Sequence, residues 1–253
     1  MSDFNVFARF YDFEYGDYRE DIDFYLNFAK LTGSPILDAA CGTGRVLIPL
    51  AKAGFMVTGL DIAPAMIAAA WEKVEKAGIK DRVKLVNADV RDFQLDEQFE
   101  LAFIALNSFG HLVSTNDQIA ALSHLHKHLR KGALLILDLF NPDVSAFADV
   151  SGQVLHDYTK VDPVTENTIV KFHTTKLDQA RQLLNVTFFY DEVNPRGDVK
   201  RVIAPFPMRY VFQSEMELLL EKTHYKVENI YGSYDLEEYS AHSPKMIFIA
   251  RKA

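Results

Sequence analysis

The sequence predicts an α/β fold, in which a doubly wound, largely parallel sheet carries an inserted antiparallel β cap. Three observations lead to this prediction. Short apolar segments alternate with helical stretches between about residues 34 and 140, helical periodicity is lost between about 153 and 212, and strand-like segments return near the end. Repeated β-α units imply a parallel sheet with right-handed crossovers and helices on both faces. The chain of 253 residues, 49% of them apolar, is long enough to bury such a core.

The first part of the chain contains the alternating units. In order, we predict a strand at 35–38, a helix at 45–53, a strand at 55–60, a helix at 65–76, strands at 82–86 and 101–106, a helix at 116–130 and a strand at 133–139. Pro64 and Gly78 fit the first turn and the end of the second helix. Every residue of the 101–106 segment is apolar, which is typical of a parallel strand buried on both faces.

The second part of the chain predicts the cap and the closing elements. Strands are expected at 168–176, 183–192 and 199–212, and Asn194–Asp198 is a turn signal between the last two. Ser214, with Glu217 three residues on, forms a capping-box pattern that predicts a helix at 214–223. Two further strands follow, at 225–231 and 246–250.

An acid and two glycines connect the first predicted strand to the first helix. At such a junction, glycines let the backbone turn sharply, and the helix N-terminus presents free N–H groups to a ligand. Asp61 and Asp89 follow the second and third strands, where acids could accept the ribose hydroxyls and the adenine amino group of a nucleoside. Each feature also has a local explanation, because Asp61 could cap a helix and Asp89 could hold a turn. The loop itself reads Asp38-Ala39-Ala40-Cys41-Gly42-Thr43-Gly44.

Composition and motif mismatches disfavour several classes of protein. With 27 Lys and Arg against 35 Asp and Glu, the formal net charge of −8 argues against nucleic acid as the main partner. Leu47 stands where a dinucleotide-binding fingerprint needs a third Gly or Ala, and no Gly-Lys-Ser/Thr follows the loop as a P-loop would require. No apolar run has the length of a membrane span, and the single cysteine suits a cytoplasmic location, which we expect.

The glycine loop and the segments around Asp61 and Asp89 resemble motifs of the class I S-adenosylmethionine-dependent methyltransferases. The N-terminal segment Phe10–Tyr15 is similar to the small-molecule branch of that family, which includes amino-sugar N-methyltransferases and glycine N-methyltransferase-like enzymes. Ala39-Ala40 departs from the glycine often found after the first acid of the family. The similarity is carried by Ile36–Gly44, Val57–Asp61, Asn87–Arg91, Leu106–Leu112 and Lys131–Asp138, in that order along the chain.

The resemblance implies a Rossmann-like, doubly wound sheet of seven strands whose last strand is antiparallel. It also implies one methyltransferase domain over 1–253, with a helical N-terminal lid at 1–33, a cofactor-binding core at 34–140, an inserted β meander serving as substrate cap at 150–205, and C-terminal strands at 206–253. Exposed strands of the meander could pair two copies into a homodimer.

By resemblance, the cofactor is S-adenosylmethionine, and the product is S-adenosylhomocysteine. The loop residues Asp38, Gly42 and Gly44 would hold the methionine end, and Asp61 the ribose hydroxyls. The complete set of implied cofactor contacts is Tyr11, Tyr15, Asp38, Ala40, Gly42, Gly44, Asp61, Ile62, Asp89, Val90, Leu106 and Asn107.

The implied activity is in-line methyl transfer to a small-molecule acceptor, with an amine favoured because it needs little help from a base. His111 is a candidate base or acceptor-positioning residue, because it follows the fourth strand and titrates in a suitable range. Tyr11 is a second candidate catalytic residue. Three alternatives stay open at this point: an RNA-modifying methyltransferase, a catalytically silent cofactor-binding partner and an NAD-dependent oxidoreductase.

Two further groups of residues are candidate binding sites. His124 and His128 have the spacing of a zinc pair on a helix, but no third ligand is evident, so we predict a solvated face and no metal. Basic residues of the meander could bind an anionic acceptor or lie on solvated strand edges. These basic residues are Lys171, Lys176, Lys200, Arg201 and Arg209.

Overall fold

A computed structural model describes residues 4–163 and 165–253. Residues 1–3 of the predicted lid and residue 164 of the predicted meander lie outside the described residues. The helices are α1 (Asn5–Tyr15), α2 (Ile22–Thr32), α3 (Leu47–Lys52), α4 (Pro64–Ala77), α5 (Thr115–His128), α6 (Val144–Asp149) and α7 (Gln213–Lys222). The strands are β1 (Ile36–Ala39), β2 (Val57–Asp61), β3 (Val83–Asn87), β4 (Phe99–Ile104), β5 (Leu129–Phe140), β6 (Val154–Val161), β7 (Thr168–Asp178), β8 (Leu183–Val193), β9 (Val199–Arg209), β10 (Tyr225–Tyr231) and β11 (Lys245–Lys252).

The main sheet has seven strands in the order β10-β11-β5-β4-β1-β2-β3. β11 runs antiparallel to both of its neighbours, and the pairs from β5 to β3 are parallel. The predicted fold class is therefore confirmed. Strand order reverses at β1, which has β2 on one side and β4 on the other. In open α/β sheets this switch point opens a crevice at the carboxyl ends of the strands, where ligands bind.

Alternate residues of the central strands pack into two separate cores, one on each face of the sheet. On β4, Leu101 and Phe103 join the core that contains residues of α2 and α3. Ala102 and Ile104 join the core that contains residues of α5 and α7. This burial on both faces explains why the segment is apolar at every position, and it gives the site a rigid base.

The inserted cap is a separate four-stranded antiparallel sheet in the order β6-β7-β8-β9. The sequence prediction omitted β6, an edge strand with mostly exposed residues. It also placed the helix cap at Ser214, but α7 begins at Gln213 after an extended Phe212 that makes no side-chain cap, so the capping-box prediction is wrong. Pairing of two copies along an edge of this sheet stays a prediction.

Helix α1 joins the cap to the core. Phe10 stacks on Tyr190 of β8 with ring centroids 4.0 Å apart and an interplanar angle of 2°. On the core side, Asp12 accepts hydrogen bonds from the hydroxyl of Thr43 at 2.5 Å and from the ammonium of Lys73 at 2.7 Å. The helix is therefore held from both sides. No helix in the described part of the chain is long and apolar enough to cross a membrane.

Candidate active site

A cavity of about 570 Å³ lies at the switch point, between the carboxyl ends of the parallel strands, helix α1 and the cap sheet. This volume falls within the range of about 300–1,000 Å³ that is typical of ligand pockets. Two of the predicted site residues, Asp38 and Gly44, do not line it. The predicted residues that line it are Tyr11, Tyr15, Ala40, Gly42, Asp61, Ile62, Asp89, Val90, Leu106, Asn107 and His111.

The glycine loop forms the floor of the cavity below Tyr11. Gly42 and Gly44 have φ angles of 54° and 82°, and Ala40 adopts 68° although it has a side chain. A Cβ added at Gly42 would lie 3.7 Å from the Tyr11 ring, so this aromatic side chain covers the loop closely. Burial raises the pKa of Tyr11 to about 12. Tyr11 therefore keeps its proton at neutral pH, and it can donate a hydrogen bond but cannot act as a base.

Asp61 connects the end of β2 to the glycine loop. Its Oδ2 accepts the N–H of Gly42 at 2.8 Å, and its Oδ1 accepts the N–H of Ala63 at 2.8 Å. Burial raises the pKa of this carboxyl, and both backbone hydrogen bonds oppose the shift. Each carboxylate oxygen has two lone pairs, so Asp61 can still accept hydrogen bonds from a ligand in the cavity that it lines.

Asp38 lies behind the glycine loop, with only 1% of its surface exposed. Its Oδ2 has no hydrogen-bond partner among the residues that the structure describes. Burial raises the pKa of Asp38 to about 8, and the nearby Arg45 guanidinium only partly opposes the shift. This acid is therefore a buried group whose charge is incompletely compensated by the described residues.

Asp89 is part of an ion-pair network that the sequence prediction missed. The guanidinium of Arg91 donates to the Asp89 carboxylate through Nε at 3.0 Å and Nη2 at 2.5 Å, and to Asp117 through Nη1 at 2.8 Å. Hydrogen bonds from Arg91 hold the pKa of Asp89 below its usual range. All three residues line the cavity. Asp89 and Arg91 are two residues apart in a turn, which could have suggested their pairing, but Asp117 comes from α5.

The turn after β4 is strained and is held by a buried acid. Leu106 and Asn107 have φ angles of 45° and 62°, which L-residues rarely adopt. Asp138 of β5 accepts the Leu106 N–H at 3.1 Å through its carboxylate and the Asn107 N–H at 3.0 Å through its backbone carbonyl. The same carboxylate accepts the hydroxyl of Tyr234 at 2.7 Å. Backbone strain of this kind is concentrated at functional sites.

Two residues that follow β4 line the cavity and contain buried polar atoms without partners among the described residues. Asn107 Oδ1 and His111 Nδ1 are both buried and without a partner among the described residues, and both residues line the cavity. Burial lowers the pKa of His111 to about 4, although a hydrogen bond to the Pro207 carbonyl opposes the shift. The imidazole is therefore neutral at pH 7.

Aromatic rings form the wall opposite the glycine loop. His111 packs between Phe4 and Phe206, with ring centroids 4.9 and 5.4 Å away. Phe188 and Tyr190, two residues apart on β8, line the cavity, whereas the intervening Phe189 does not. The period of two in a strand could have predicted that division. The sequence prediction did not include Phe4, Phe7 or Glu14 of the N-terminal segment, which also line the cavity.

The histidine pair has structural partners. The prediction of a solvated face for the histidine pair is wrong, because His128 is buried, accepts the N–H of Leu95 at 3.1 Å and contacts the carbonyl of His124 at 2.7 Å. Within 4–163 and 165–253, no group of three or more His, Cys, Asp or Glu residues is placed to hold a metal.

The basic residues of the cap divide between buried and exposed positions. Lys171 is buried and pairs with Glu14, and its Nζ is 3.4 Å from an Asp157 oxygen. Arg201 pairs with Asp191 at 2.6 Å, and Arg209 pairs with Glu215 at 2.8 Å. Lys176 and Lys200 are exposed. None of the five basic residues is among the described residues that line the cavity.

Comparison with known proteins agrees with this geometry. Residues 36–132 match the family described as methyltransferase domain. The chain is 24% identical over 222 residues to the cypemycin N-terminal methyltransferase of Streptomyces sp, covering 88% of this chain and 84% of the relative. It is 33% identical over 126 residues to the glycine/sarcosine N-methyltransferase of Aphanothece halophytica, covering 48% and 46%. The fold is similar to the CcbJ methyltransferase from Streptomyces caelestis, with a TM-score of 0.81, 20% identity and coverage of 92% and 95%.

Proposed function

We propose that this chain, in which residues 36–132 match a methyltransferase domain, is an S-adenosylmethionine-dependent methyltransferase that methylates an amine of a small-molecule acceptor. The observation that carries the proposal is that Asn107 and His111 line the cavity and that Asn107 Oδ1 and His111 Nδ1 are buried without partners among the described residues. Buried polar atoms are seldom left without partners, so these two atoms favour a ligand that donates hydrogen bonds there. A primary amine has two N–H donors and keeps a lone pair for attack.

The cavity residues fit the cofactor. Gly42 has a positive φ and lies next to the Tyr11 ring, so a larger residue at this position would place its side chain in the space for the cofactor. Asp61 would accept the ribose hydroxyls, and Ile62 and Val90 would contact the adenine. Asp89, already paired with Arg91, would contact the adenine with its remaining lone pairs. Asp38 would act from behind the loop, where its uncompensated carboxyl favours the cationic methionine end.

The chain contributes mainly positioning to the reaction. When bound, S-adenosylmethionine supplies a methyl group already activated by its positive sulfur, and transfer forms the N–C bond, breaks the C–S bond and leaves S-adenosylhomocysteine. Asn107 and His111 would hold the two N–H groups of the amine, so that its lone pair is directed away from them. Because good positioning alone can supply about 7–11 kcal/mol, no strong base is required. With a pKa of about 4, His111 is suited to accepting a hydrogen bond rather than to removing a proton from an ammonium group.

A screen with cofactor carrying a radiolabelled methyl group tests the proposal. The acceptors should include matched amines and alcohols, amino sugars, carboxylates and tRNA. We expect label in the amines and little in the alcohols or tRNA. Calorimetry with S-adenosylhomocysteine in parallel should show binding. Label found only in tRNA or in hydroxyl groups would contradict amine methylation, and binding without any transfer would indicate a catalytically silent partner.

A further inference from the structure

One wall of the cavity, here called the acceptor side, includes Phe7, Glu14, Phe188, Phe206 and Met208. Its one acid and its apolar rings indicate which class of acceptor it can bind. We propose that the acceptor is a lipophilic amine without a carboxylate or phosphate, and that Glu14 is responsible for this selectivity. This proposal rests on the amine methylation proposed above. The glycine/sarcosine relative is named for amino acids, which carry a carboxylate. The proposal therefore separates this chain from that relative.

The described residues that line the cavity leave no cation free for an anionic acceptor. Four of them are acids, namely Glu14, Asp61, Asp89 and Asp117, and Arg91 is the basic one. The guanidinium of Arg91 is already occupied by Asp89 and Asp117. An acceptor carboxylate placed beside Glu14 and Phe188 would lose water without gaining a counter-ion from the described lining residues, which costs several kcal/mol for a buried charge.

A buried cation, Lys171, lies behind the aromatic wall. Lys171 Nζ lies 3.8 Å from the ring centroid of Phe188, and this ring lines the cavity whereas Lys171 does not. The ammonium is neutralised by Glu14 and lies 3.4 Å from a carboxylate oxygen of Asp157. Lys171 is therefore compensated from two directions and is not presented to the acceptor.

Glu14 lines the cavity, and its two carboxylate oxygens have different partners. Its Oε1 pairs with Lys171, and its Oε2 accepts the hydroxyl of Tyr190 at 3.3 Å. That distance is long for an O–H donor, which prefers about 2.7–2.8 Å, so Oε2 is weakly held. Glu14 can therefore accept an N–H from a neutral amine, and its negative charge disfavours a carboxylate at the same position.

The remaining surface of the acceptor side is apolar. Phe7 contacts Phe188 and Phe206 edge to face, with ring centroids 6.0 and 5.3 Å away, and all three rings line the cavity. Met208 extends the same wall. Aromatic faces bury hydrocarbon, so this wall suits the body of a lipophilic amine.

Matched acceptor pairs that differ only in a carboxylate provide the test. Phenethylamine and phenylalanine, and tryptamine and tryptophan, are titrated by calorimetry into the protein saturated with S-adenosylhomocysteine, and methyl transfer to each is measured. In the wild type, each amine should bind about 100-fold more tightly than its amino acid, because burying an uncompensated carboxylate costs several kcal/mol. The difference should appear in KM rather than in kcat.

Glu14→Gln should reduce the ratio of amine affinity to amino-acid affinity by about tenfold. The substitution removes the negative charge that repels a carboxylate, and it leaves the Lys171 ammonium less compensated. Asp17→Asn is the matched control, because Asp17 is exposed and its substitution removes the same charge three residues away in the sequence. Binding of S-adenosylhomocysteine should not change in either variant. The proposal is overturned if the amino acids bind as tightly as the amines, if no amine binds, or if Glu14→Gln leaves the ratio unchanged. Transfer to alcohols or tRNA but not to any amine would instead refute the proposed function on which this proposal rests.

Discussion

Replacing Asp38 by Asn should stabilise the ligand-free protein at alkaline pH and have little effect in mildly acidic buffer. Asp38 is 1% exposed, and its Oδ2 has no partner. Burial raises its pKa from 3.8 to about 8, and the negative charges of Asp61 and Asp21 add to the shift. Asn has nearly the same size and keeps a carbonyl oxygen for the backbone hydrogen bond from Leu47, but it does not ionise.

The magnitude follows from the two pKa values. Because the folded-state pKa of Asp38 lies above the unfolded value, its contribution to stability is complete below about pH 3.8 and is lost as the pH rises to about 8. Each pH unit in that window is worth about 1.4 kcal/mol, which gives an upper bound of roughly 6 kcal/mol. For a chain of this size, about 1 kcal/mol moves Tm by about 2–4 °C. The Tm difference between Asp38→Asn and the wild type should therefore widen by about 10 °C between pH 5 and pH 8.

Thermal unfolding followed by circular dichroism from pH 5 to pH 9, without ligand, measures this difference. Asp23→Asn, which changes an exposed acid, controls for the loss of one negative charge. A difference that does not vary with pH would refute the reasoning, and so would an Asp38→Asn protein less stable than the wild type at pH 8. Calorimetry with S-adenosylhomocysteine on the same variant tests the cofactor role separately. Weaker binding is expected if Asp38 acts on the methionine end.

Three further changes have defined outcomes. Gly59→Ala should lower the free energy of unfolding by about 1–3 kcal/mol in urea titrations, because its Cβ would lie 2.5 Å from a methyl carbon of Leu47; an unchanged midpoint would contradict this packing. Asp21→Ala should cost about 3–5 kcal/mol in the same assay, since it leaves the buried guanidinium of Arg45, held by hydrogen bonds of 2.6 and 2.5 Å, without its partner. A loss below about 1 kcal/mol would show that this pair is not buried as described. His111→Ala should reduce turnover far more than S-adenosylhomocysteine affinity, and turnover equal to that of the wild type would contradict a role for His111 in positioning the acceptor. Because the pKa of His111 is about 4, the wild-type pH–rate profile should lack a histidine limb near pH 6.5. Such a limb would contradict a neutral His111.

Much of the fold followed from local patterns. The strand at 225–231 was predicted with its observed bounds, and α4 differs from its prediction by one residue at each end. These elements are specified by alternation or by end signals such as Pro64 and Gly78, which act within a few residues. The edge strand β6 was missed because its residues are mostly exposed and carry no apolar alternation. The prediction of a helix cap at Ser214 was wrong because a capping box is only a local signal. Helix α7 begins one residue earlier, at Gln213.

By itself, the sequence determined the fold class, the glycine loop and the acids at consecutive strand ends, because these depend on local periodicity and turn chemistry. Only the tertiary structure decided which charges compensate each other. Glu14 and Lys171 are 157 positions apart, and Asp117 meets Arg91 from another helix. It also decided that His128 is buried and that the imidazole of His111 is neutral. Burial and ion pairing depend on what other segments bring to a side chain, and the residue's own neighbours in sequence do not specify that.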